Sequence, residues 1–244
     1  MRAVWITLLA VVAFAIILVA RMPASWVVPV PPAALSCTAT DGTVWSGTCT
    51  GLTLQGLAVG DVVWELHPLK LLAGKIAAHV AVTRPGASAQ GDLETNFSGR
   101  ILTARNLKAD LPLERALMPQ LPANLRGNVH AELGLARIEN GVVTDLKGHL
   151  EARDLQQVGS EPAPLGSYSL SFPGGSAEPT GELHDLGGPL SVQGTLRLTR
   201  APGFDLQGMV SARASAPADL QKQIQYLGSP DSQGRRPFSL GGTF

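Results

Sequence analysis

Charge is scarce in this sequence. Only 16% of its 244 residues are Asp, Glu, Lys or Arg, against roughly 25% in an ordinary soluble globular protein. The formal net charge is +0, and the basic runs stop at the Arg235-Arg236 pair. Nucleic-acid binding needs clustered cations to displace counterions, so it is excluded as a function. Aromatic residues are also few, at 5%. Glycine (27) and proline (18) exceed average usage instead, a bias towards turns and short strands rather than long helices. No Walker loop, dinucleotide-binding fingerprint or His-Glu-x-x-His segment is present. The five histidines, His67, His79, His130, His149 and His184, show no ligand spacing. Neither this pattern nor the neighbouring His184-Asp185 pair marks a catalytic, cofactor or metal site.

Long apolar runs are absent too, with one exception. Ala3 to Ala20 is unbroken except for Thr7, with Arg2 before it and Arg21 after it. About 18 residues at roughly 1.5 Å each give about 27 Å, close to the thickness of a bilayer core. A cleaved signal peptide would carry a shorter apolar stretch and small residues at the cleavage site. Here Arg21, Met22 and Pro23 follow the run, and Trp5 and Trp26 bracket it as interfacial aromatics do. The expectation is an uncleaved anchor over residues 1–21 that contacts the membrane through 3–20. A proline-rich extended linker over 22–34 follows, and then an exported domain over 35–244. Because the bulk of the chain follows the anchor, the N-terminus is placed inside.

Cys37 and Cys49 are the only cysteines. Their spacing fits neither a zinc site nor Cys-x-x-Cys redox chemistry. Gly47-Thr48-Cys49-Thr50-Gly51 imitates a nucleophile elbow, but that motif needs a helix next and the chain continues with strand-like Leu52-Thr53-Leu54. In an exported chain, an even pair reads as a disulfide.

Period-two alternation dominates beyond the linker. Val62, Trp64 and Leu66 share one face, as do Ile76, Ala78, Val80 and Val82. Val129, Ala131, Leu133 and Leu135 share another, and Leu146, Gly148, Leu150 and Ala152 give the cleanest run, with Lys147, His149, Glu151 and Arg153 opposite. Turn signals separate the runs, Asn140-Gly141 being the strongest. Short connections force antiparallel neighbours. The expected fold is therefore mainly β, an extended, curved antiparallel sheet with two short helices, over Leu111–Met118 and Ala216–Gly228. Strands around each helix echo one another weakly, without an exact repeat, so the domain is either one unit or two related halves, about 35–125 and 126–244. The apolar face must be covered: the sheet folds over itself as a sandwich or rolled half-barrel, or it leaves a groove.

The order of features from the anchor onward carries a resemblance. Gly42-Thr43-Val44-Trp45-Ser46-Gly47 comes first, then Trp64-Glu65-Leu66-His67-Pro68-Leu69-Lys70-Leu71-Leu72-Ala73-Gly74, then a strand. This resembles the type II secretion system protein N family, with a looser likeness to AsmA-type periplasmic lipid-handling proteins. The family core falls on Gly42, Trp45, Gly47, Trp64, Leu66, Pro68, Leu71, Leu72 and Gly74. The resemblance implies an accessory component of the inner membrane, with the N-terminus cytoplasmic and the bulk periplasmic. Its partners would be other secretion subunits, supporting export of folded proteins across the outer membrane. It implies no catalytic residue and no cofactor. The looser likeness implies an alternative, a periplasmic lipid-binding or lipid-transfer module.

Overall fold

A strand that alternates polar and apolar side chains buries one face and wets the other, and antiparallel hairpins join such strands with few residues. The computed structural model describes residues 35–113, 124–159, 162–200 and 203–243, with 17–26 and scattered positions before them. It consists of two compact units, Met1–Arg84 and Pro85–Phe244.

In the first unit, β1 (Leu35–Ser36), β2 (Ala39–Gly42), β3 (Ser46–Leu54), β4 (Leu57–Leu66) and β5 (Lys75–Arg84) form an antiparallel sheet. β3 pairs with β1, β2 and β4, and β4 with β5. The register sets Val62 against Val82, Trp64 against Val80 and Leu66 against Ala78, which is the shared face the alternation predicts.

In the second unit, β6 (Ala87–Asn96), β7 (Ile101–Pro112), β8 (Leu125–Glu139), β9 (Val142–Gln157) and β10 (Ala163–Pro173) follow in order. β11 (Thr180–Asp185), β12 (Leu190–Thr199), β13 (Gly203–Ala212) and β14 (Arg236–Thr243) complete the sequence. Each pairs antiparallel with the next, and the path ends at β14 without closing. Among the described residues the strands make one hydrogen-bonded sheet that does not close on itself.

The registers sort the side chains into rows. On one face, Ala109, Ala131, Leu150, Leu170, Leu183, Gly194, Gly208 and Phe238 lie in line from β7 to β14. On the other, Lys108, Glu132, His149, Ser171, Glu182, Thr195, Gln207 and Ser239 do so. Bulges interrupt the ladder. At Gly134 the register jumps, so Leu135 aligns with Arg105 and Lys147 rather than continuing the row of Leu133. Such inserted residues sharpen local twist and re-aim side chains.

One helix covers part of the apolar face. It spans Ala218–Gln225, starts after Pro217, and buries Leu220 and Ile224. Ile224 joins Val192 and Val210 in a small core, with Tyr168, Leu183, Leu190, Leu227 and Phe238 packed around it. The expected stripe Leu220, Ile224 and Leu227 is present, but the helix ends before Tyr226 rather than at Gly228. The other expected helix does not begin at Leu111: Leu111 and Pro112 are the last residues of β7, paired with Val129 and Asn128. Residues 114–118 of that expectation lie outside the described residues. No helix among the described residues is long and apolar enough to cross a membrane. Half of the run 3–20 lies outside them, as do linker residues 27–34.

Candidate functional site

Three places gather the residues that the sequence singles out. The first is the hairpin that opens the sheet. Gly42 pairs with Gly47 across the turn, and the Thr43 N–H donates to the Ser46 carbonyl at 2.8 Å. Cys37 and Cys49 form the expected disulfide, with Cα atoms 5.6 Å apart, and Cys49 is buried at 3% exposure. The thiol is therefore spent in a cross-link and no nucleophile remains there.

Around this hairpin the two tryptophans that the sequence singles out act as hydrogen-bond donors. Trp64 Nε1 donates to the Val44 carbonyl at 3.1 Å. Trp45 Nε1 donates to the Val19 carbonyl at 2.8 Å, a carbonyl in the last turn of a helical segment that also accepts from the Met22 N–H at 3.3 Å. The Val44 N–H donates to the Met22 carbonyl, and Pro23 bridges Thr43. A 3-10 turn at Ala24–Trp26 follows, with Ala24 buried. The start of the proline-rich segment is therefore fastened to the hairpin rather than extended as a free spacer. No sequence signal linked residues 19–24 to 43–45. The bonds use backbone carbonyls, which leave no mark on side-chain pattern.

Further along the first unit, Pro68–Leu71 makes a single helical turn. Leu66 and Leu71 are half-buried, while Leu69 and Leu72 are exposed at 80% and 88%. Gly74, at φ +73°, releases the chain into β5.

The second place is the polar face of the second unit. Register brings together what the sequence kept apart. His130 Nδ1 lies 2.6 Å from Asp110, while His130 Nε2 and His149 Nε2 lie 3.7 and 3.5 Å from Glu132. Lys108 approaches Glu132 at 3.3 Å. Its hydrogen bond and charge, helped by the two histidines against a small desolvation cost, hold the Glu132 carboxyl below its ordinary value. These are exposed pairs, and no group of His, Cys, Asp and Glu among the described residues is arranged to hold a metal. A depression of about 930 Å³ with a mixed lining lies further along, its walls including Glu182, His184, Thr195, Met209 and Phe238.

The third place is on the apolar face. An open hollow of about 300 Å³ is lined by Tyr168, Leu183, Val192, Val210 and Phe238. Asp185 marks the end of this face. Its carboxylate accepts from Arg213, from the backbone N–H groups of Gly187 and Val192, and from the Ser191 hydroxyl. Burial opposes ionisation of Asp185, but the Arg213 hydrogen bond, the Val192 N–H, the Arg213 charge and the Gly187 N–H outweigh it, and its carboxyl stays below the ordinary range. Burial and the Asp185 charge push the Tyr168 hydroxyl up. His184 points to the polar side, near Glu182 at 3.8 Å, so the adjacent His184-Asp185 pair is divided between the two faces.

The three places contain a locked hairpin, a solvated charge network and a greasy sheet surface. This is a class of protein built to present surfaces along an open antiparallel sheet. The chain belongs to the type II secretion system protein N family, whose profile matches residues 33–239. It is 28% identical over 226 residues to the type II secretion system protein N of Vibrio cholerae serotype O1, covering 88% of this chain and 87% of that one. It is also 28% identical over 250 residues to the protein of the same name from Aeromonas hydrophila, covering 98% of each. No solved structure matches.

Proposed function

We propose that this chain is an accessory component of a type II secretion system, anchored in the inner membrane by residues 3–20 with its β units in the periplasm. It works by protein contact with other secretion subunits and has no enzymatic activity. The family match across residues 33–239 carries this reading. The last strand supplies a plausible mode of contact. β14 pairs only with β13 among the described residues, and an unpaired strand edge accepts an incoming strand by β-augmentation. In-cell crosslinking from Val63 and Leu240, exposed at 50% and 56%, tests the reading, with captured proteins identified by mass spectrometry. Secretion subunits trapped at either position support it. Their absence from both would remove its support.

A second reading, lipid handling, has one observation in its favour. Apolar side chains line one face of the second unit from β7 to β14, most of them half-buried rather than fully buried. Lipid co-purifying with the intact protein in the absence of detergent would favour this use. A lipid-free preparation would sink it.

A further inference from the structure

One end of the first unit collects exposed apolar and basic side chains from three separate segments. Trp26 is 69% exposed, Leu69 80% and Leu72 88%. Arg21, Lys70 and Lys75 are exposed in the same segments, and the exposed carboxylates Asp41 and Glu65 flank them. Hydrogen bonds fix the arrangement. Trp45 donates to the Val19 carbonyl at 2.8 Å and its own carbonyl accepts from the Leu66 N–H at 2.6 Å. The same residue therefore ties the end of the apolar N-terminal segment to the strand that runs into the Pro68–Leu71 turn. A helical turn rises about 1.5 Å per residue, so Leu69 and Leu72 stay close to that junction.

We propose that the Pro68–Gly74 turn of the family core is a membrane-contact element. Leu69 and Leu72 insert at the bilayer interface beside the anchor, and Arg21 lies at the level of the headgroups. The occupant is a lipid surface for two reasons. The segment carrying Val19 is the end of the apolar run, so the bilayer boundary lies at this end of the unit. Large exposed apolar side chains, Leu69 at 80% and Leu72 at 88%, also stand at this same end. Exposed leucines flanked by lysines, with Trp26 nearby, are the side chains that settle in the interfacial zone. The proposal rests on the reading of 3–20 as an anchor. It gives the motif a second role: the turn sets the sheet at a fixed attitude to the membrane rather than on a flexible tether.

The test uses the full chain in vesicles of phosphatidylcholine and phosphatidylglycerol. The native cysteines are paired, so an introduced cysteine is the reactive thiol. A fluorescent maleimide is placed at Leu72→Cys, at Gln55→Cys in the turn at the far end of the β3–β4 hairpin, and at Phe14→Cys within the apolar run. Lipids brominated near the headgroup end of their chains are the quencher. The label at 72 is expected to lose emission as the label at 14 does, while the label at 55 keeps its emission. Quenching at 14 with none at 72 overturns the proposal and leaves the anchor standing. No quenching at 14 defeats the anchor reading, and the proposal falls with it.

Discussion

Four aromatic rings of the sheet occupy the space above a glycine on the adjacent strand. A Cβ added at Gly47, Gly181, Gly208 or Gly242 would fall within 3 Å of the ring of Trp64, Phe172, Phe238 or Phe204 respectively. The glycine keeps the strand slim and the aromatic ring covers its bare backbone. A chain so short of aromatics thus uses most of those in its strands in this one way. Phe172 is the most buried of the four at 4% exposure. Gly181→Ala is expected to cost about 1–3 kcal/mol by overpacking, and Phe172→Ala about 3–5 kcal/mol. The double variant should cost less than the sum, because without the ring the methyl group meets no obstacle. Urea unfolding of the three variants measures this, and strict additivity would contradict the pairing. Asp185 makes a second residue-scale case. Its folded-state carboxyl is held below its ordinary value of 3.8. Ionisation therefore stabilises the fold at neutral pH, and that stability drains away as pH falls below about the ordinary value and through the lowered one. Asp185→Asn should destabilise at neutral pH by about 1–3 kcal/mol, the worth of hydrogen bonds to a charged group, and should flatten the acid limb of a stability profile. An unchanged limb would show that the Arg213 pair is not felt.

Among the elements, strands and their antiparallel neighbours were legible, and their registers were not. Leu146, Gly148, Leu150 and Ala152 declare a strand by alternation alone, and β9 contains them. Register depends on bulges, and these occur where no apolar pattern marks them. Asn106 and Asp154 adopt φ +51° and +53°, at register shifts where Gln90 and Asp92 face Lys108 and Arg105, and where Arg126 and Asn128 face Gln156 and Arg153. Such positive φ values suit Asn and Asp but do not require them. Hence the meeting of His130, His149 and Glu132 was invisible until the register was known. The misplaced helix start at Leu111 has a similar cause. A proline opens helices and also closes strands, and Leu111-Pro112-Leu113 offered both. The disulfide was legible because an exported chain with two cysteines leaves few other uses for them. Reducing it, or replacing both cysteines by serine, reopens a loop of 12 residues and should cost about 2–5 kcal/mol. Thermal unfolding with and without reductant measures the loss. The same midpoint in both conditions would mean that the hairpin is held by its Trp45 and Trp64 hydrogen bonds instead.

At the scale of the whole molecule, an open sheet with one greasy face poses a choice between its edge and its face. The two functional readings divide along that line, so they predict opposite variants. Leu170 sits mid-row on the apolar face of the second unit and is half-buried. Ser239 and Gly241 are exposed on β14, the strand that ends the path, in line with the polar side chains Gln207 and Asp205. Lysine at both 239 and 241 blunts strand addition without touching the apolar face, since charge on an edge discourages pairing. Lysine at 170 spoils a lipid-facing row and leaves β14 as it is. If docking through the edge is the working contact, secretion of a reporter substrate in cells falls with the 239/241 pair and survives Leu170→Lys. If the face is the working surface, the order reverses. Circular dichroism on each purified variant guards against reading lost folding as lost function, because a half-buried lysine can still extend its ammonium to water while its methylenes stay on the sheet.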